Sequence, residues 1–120
     1  VTAGHIVGEF LNDKDKQPLY HLAKSKNLWE RRIAIVSTYS FIKRNRFAPT
    51  LAIAGMLMSD EEDLIHKAVG WMLREVGKRD LRAEEKFLKK YYMKMPRTML
   101  RYAIERFPQD KRKRYLKGEI

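Results

Sequence analysis

In the stretch IHKAVGWMLREVGKRD, from Ile65 to Asp80, an indole and three cations recur at the spacing of one helical ridge. Lys67, Trp71, Arg74 and Lys78 follow the order i, i+4, i+7, i+11. At about 100° per residue they share one side of a helix. Ile65, Ala68, Val69, Met72, Leu73 and Val76 share the other and form an apolar stripe. Lysine and arginine bind anionic oxygens, and an indole face attracts a cation. The indole therefore stands on a basic surface, away from the helix's own apolar stripe. The structural alternative is that a neighbouring helix covers Trp71.

A second residue is out of keeping with its neighbours. Arg32 in NLWERRIAIVSTYSFIKRN has Leu28 and Trp29 one turn before it and Ile35 and Val36 one turn after. An unpaired guanidinium among apolar side chains is costly. Either it snorkels or pairs with an acid such as Glu30 or Glu75, or its partner is a phosphate from outside the chain, which a planar fork binds well.

The elements that must position these residues are helices. Helical spacing runs through the whole chain without sustained period-two alternation, and predicts helices near 3–12, 18–25, 28–44, 48–58, 61–78, 81–93, 97–107 and 109–117. Pro18, Pro49, Pro96 and Pro108 fall at or near the junctions, and Ser59 or Asp60 offers an N-cap for the ridge helix. Short connections favour antiparallel hairpins. Pairs 28–44 with 48–58 and 61–78 with 81–93 recur about every 35 residues, close to a solenoid repeat. The expected fold is all-α, an α-solenoid of helix pairs, with a compact helical bundle as the alternative. In a solenoid the 28–44 and 61–78 helices stack, and their exposed ridges line one groove.

Composition narrows the partner. The 120 residues carry 26 Lys plus Arg against 15 Asp plus Glu, a formal net charge of +11, with a pI near 10.0. That excess favours nucleic acid first and an acidic membrane surface second. No cysteine is present, which removes disulfides and thiolate zinc sites and is compatible with a reducing cytoplasm. The longest apolar run, FAPTLAIAGMLM, has 12 residues, too few to span a bilayer. His5, His21 and His66 lack metal-site spacing, and no nucleophilic triad can be assembled. The KRKR run at 111–114 reads as a solvated face or a backbone contact to nucleic acid, and Tyr91, Tyr92, Tyr102 and Phe107 read mostly as core.

LWERRIAIVSTYSFI, IHKAVGWMLREVGKRD and MPRTMLRYAIERFP, in that order, resemble the DNA alkylation repair family, the AlkD-like DNA glycosylases. The resemblance covers nearly the whole chain. It implies a solenoid of HEAT-like repeats that holds duplex DNA in a basic concave groove and excises alkylated purines such as 3-methyladenine and 7-methylguanine. It implies no metal and no cofactor; no membrane partner, a cytoplasmic location and a monomeric state are expected as well. Carried over by position, the arginine of the WxxR motif is Arg32 and the tryptophan of GWxLRE is Trp71, with Arg74 following in that block. Lys67 and Lys78 complete the expected DNA-binding set. The family's catalytic aspartate aligns immediately before Val1, so no catalytic residue is expected within this chain, and Glu9 and Asp13 do not match its motif. The chain accordingly reads as the C-terminal part of one HEAT-like domain, with the N-terminal repeats absent. Two alternatives remain: a non-catalytic nucleic-acid-binding solenoid and a protein-binding HEAT-like scaffold.

Overall fold

The computed structural model describes residues 17–120, and every element among them is helical. The helix expected near 3–12, with His5, Glu9 and Asp13, lies outside the described residues. In chain order the helices are α1 (Gln17–Ala23), α2 (Leu28–Ser37), α3 (Tyr39–Ile42), α4 (Ala48–Met56), α5 (Asp63–Arg79), α6 (Leu81–Tyr91), α7 (Arg97–Ala103) and α8 (Gln109–Lys117). None is long and apolar enough to cross a membrane.

Local chemistry sets most of the boundaries. The Asn27 side chain caps α2 by accepting the amides of Trp29 and Glu30 at 2.8 and 3.3 Å. The expected single helix over 28–44 breaks at Thr38. There the Thr38 hydroxyl donates back to the Ile35 carbonyl at 2.6 Å, and Ser40 does the same to Ser37. Such back-bonding competes with the helical ladder. Asn45, at φ 59°, then ends α3 in the left-handed conformation, while the Arg46 amide closes onto the Phe41 carbonyl. Asp80 serves two helices: its amide donates to Val76 at the end of α5, and its carboxylate accepts the Ala83 amide at the start of α6.

The ridge helix starts later than expected. Its N-cap position is Glu62, without a side-chain bond, because the Asp60 carboxylate is engaged elsewhere. It accepts Arg31 Nε at 2.6 Å and the Glu62 amide at 2.9 Å, tying the α4–α5 loop to α2. His66 Nε2 closes the same turn against the Asp60 carbonyl at 2.5 Å.

Both expected hairpins pack, α2 and α3 against α4, and α5 against α6. Alternate helices also form a row: α2 lies against α5, and α5 against α7. The α5 stripe of Ile65, Ala68, Val69, Met72, Leu73 and Val76 is buried along its length, so this helix is the centre of the core. Gly70 brings α7 close. A Cβ there would stand 2.5 Å from Tyr102 Cβ and 2.6 Å from the Met99 carbonyl oxygen. Burial of the stripe turns the opposite ridge of α5 outward, between its neighbours in the row.

Candidate nucleic-acid interface

Between α2, α5 and α7 lies an open depression of about 300 Å³ lined by Arg32, Leu64, Lys67, Ala68, Trp71, Arg74 and Tyr102. Four of the five residues singled out from the sequence therefore meet in one place. Each arrives for a structural reason. The stacking of α2 on α5 brings Arg32 to the rim, the helical period delivers Lys67, Trp71 and Arg74, and the close approach at Gly70 sets Tyr102 on the far side.

Trp71 is half-buried and packs against the edge of the core, so the two readings of its position meet halfway. Part of the indole packs against the core, and the residue also lines the depression. Arg32 is also half-buried, yet it has no hydrogen bond or ion pair to any described residue. The acids that could have neutralised it are occupied: Glu30 accepts the Ser25 hydroxyl at 2.5 Å and Glu75 accepts Lys78 at 3.0 Å. Its neighbour Arg31 is the structural arginine, clasped by Asp60 and the Ser25 carbonyl. The apolar ring around Arg32 is open on one side, because Trp29 is 60% exposed.

The other cations hold acids of their own. Lys67 pairs with Asp63 at 3.3 Å one turn away, and Arg74 Nη1 donates to Glu105 Oε2 at 2.9 Å. Exposed pairs of this kind contribute about 1 kcal/mol or less, so a phosphate can replace the acid at small cost. Lys78 does not line this depression. It extends the ridge into a second, smaller one that shares Arg74. The KRKR run is divided as well: Lys113 and Arg114 are exposed, but Lys111 reaches Glu85 at 2.6 Å and Arg112 is half-buried.

The sequence reading missed Tyr102 and Leu64 as lining residues. Tyr102 sits at the margin of the α7 apolar face, where Met99, Leu100 and Ala103 are buried. The available signal was the glycine beside Trp71, since an isolated glycine inside a helical pattern marks a close packing partner. Among the described residues that line it none is an acid, so they can bind anions and stack on a flat or cationic group but supply no carboxylate base.

The sequence model of the family described as "DNA alkylation repair enzyme" matches residues 1–107. No curated protein and no solved structure matches the chain.

Proposed function

From a chain that belongs to the DNA alkylation repair enzyme family, we propose that the α2–α5–α7 row is the duplex-binding face of an alkylpurine DNA glycosylase with HEAT-like architecture. The observation that carries this reading is Arg32, a half-buried guanidinium without a partner among the described residues, beside Trp71 in a depression whose described lining contains no acid. A backbone phosphate completes it.

Alkylation at N3 or N7 makes a purine cationic, so its glycosidic bond weakens and the base becomes a good leaving group. The half-exposed indole of Trp71 attracts that cation or the oxocarbenium-like sugar that develops as the bond breaks. Tyr102 offers a second aromatic wall. Arg32, Lys67 and Arg74 hold phosphates, positioning the duplex without reading its sequence, and Lys78 continues the track. No carboxylate that would stabilise the sugar and orient a water is found among the described residues lining this face. Within the described residues the work is therefore binding and orientation.

The test is Arg32→Met, which keeps the aliphatic packing and removes the fork. A hydrogen bond to a charged group contributes about 1.5–3 kcal/mol, so affinity for a methylated duplex should fall about 10- to 100-fold with little change in stability. Unchanged affinity in an anisotropy titration would remove Arg32 from the interface and leave this reading without its main support.

A further inference from the structure

The second depression, about 210 Å³, is bounded by α5, the turn between α7 and α8, and the starts of α6 and α8. Four of its lining residues are cations: Arg74, Lys78, Arg106 and Lys111. A fifth, Glu84, is 1% exposed, and its Oε2 has no hydrogen-bond partner. The fold makes room for this carboxyl at the expense of a side chain. A Cβ on Gly77 would stand 1.9 Å from Glu84 Oε1.

A buried acid among cations would ordinarily pair with them, but here the cations are engaged with other acids. Arg74 holds Glu105, Lys78 holds Glu75 and Lys111 holds Glu85, while exposed Arg106 has no ion pair among the described residues. Burial and the neighbouring Glu85 raise the Glu84 carboxyl to about 8, against the opposing pull of Arg74 and Lys111. At neutral pH it therefore carries a proton that needs an acceptor. A lining of four cations, with Arg106 not neutralised by any described acid, disfavours a cation as the occupant. What fits is an anion with several acceptor oxygens.

We infer that this cavity is a phosphate-binding pocket, in which Arg74, Lys78, Arg106 and Lys111 supply the charge and Glu84 Oε2 supplies a hydrogen bond. It adjoins the first depression through Arg74, so a DNA backbone phosphate can reach it along the ridge. A free phosphate or phosphomonoester presents the same chemistry. The pocket itself does not depend on the proposed base excision; only assignment of its phosphate to DNA does.

Inorganic phosphate, titrated into the 120-residue protein at constant ionic strength, is the probe. Amide NMR shifts should saturate around Gly77, Arg106 and Lys111, and the affinity should fall about tenfold in Arg106→Ala, an exposed site where folding is not at risk. Glu84→Gln keeps a donor and should retain binding at pH 7. Between pH 7 and 9 the wild type should lose about tenfold relative to Glu84→Gln, as Glu84 ionises one unit past its midpoint. The groups facing it are Arg74 and Lys78 from α5, Arg106 from the turn, Lys111 and Tyr115 from α8, and Glu85 from its own helix. Duplex DNA separates the two sources. A salt slope smaller by about 0.9 in Arg106→Ala assigns the pocket to a backbone phosphate, and an unchanged slope assigns it to free phosphate or a monoester. Phosphate binding without any DNA binding would overturn the proposed function and leave the pocket standing. Absence of saturable shifts, or the same affinity in Arg106→Ala, overturns the pocket.

Discussion

Replacing Glu84 by glutamine should make the protein more stable at neutral pH, by an amount that grows with pH. The carboxyl has an ordinary value of 4.5 and is raised to about 8 in the fold by burial and by Glu85. A raised group contributes stability that is fully present below its unfolded value and is lost as pH rises through its folded value. Between about pH 5 and pH 8 the unfolded chain releases the proton while the folded chain keeps it. Each pH unit then removes up to about 1.36 kcal/mol, a ceiling near 4 kcal/mol over the window. Solvent at the open side of the cavity lowers the realistic figure to about 2–3 kcal/mol. The glutamine amide does not ionise, so the variant should match the wild type near pH 5 and exceed it by that amount at pH 8. At roughly 4 °C per kcal/mol for a chain of this size, the difference in Tm should approach about 10 °C. Thermal unfolding of both proteins at half-unit pH steps measures it. Parallel curves from pH 5 to pH 8 would refute the reasoning, because the stability of the fold would then be indifferent to the Glu84 proton.

Two further outcomes follow from the α5–α7 contact. Under the proposed function, Trp71→Ala should sharply reduce excision of alkylated purines. Because the half-buried indole packs on the core edge, it should also cost about 1–2 kcal/mol in urea unfolding; full stability with full activity would place the indole outside both roles. Gly70→Ala gains up to about 1 kcal/mol of helix propensity but drives a methyl into the Met99 carbonyl and Tyr102. The net effect should be a loss of about 1–2 kcal/mol together with weaker DNA binding, and a stabilised variant would show that α7 gives way freely.

The legible part of this fold was the part written by local periodicity. The α5 stripe repeats with the helical period over about three turns, so its burial and the outward turn of Lys67 and Arg74 could be read directly, while Trp71 also packs on the edge of the core. What escaped depends on partners distant in sequence. Asp60 looks like a helix cap until Arg31, 29 residues earlier, takes its carboxylate. Arg74 looks free until Glu105, 31 residues later, arrives beyond the end of α7. Glu84, in LRAEEKF, has the sequence of an exposed helical surface. Only the missing side chain at Gly77 on the preceding helix explains why it is buried. The break at Thr38 was local but quiet, since serine and threonine bend a helix by where their hydroxyls donate, which spacing does not encode.

The salt dependence of duplex DNA binding tests the central claim most directly. If Arg32, Lys67 and Arg74 each hold a phosphate, log K against log salt should fall with a slope of at least about −2.7, at about −0.9 per contact. Arg74→Ala should reduce that slope by about 0.9, although Arg74 must first leave Glu105. A slope near zero, or one unchanged by substitution at all three positions, would contradict the assignment of this row of helices as the DNA-binding face.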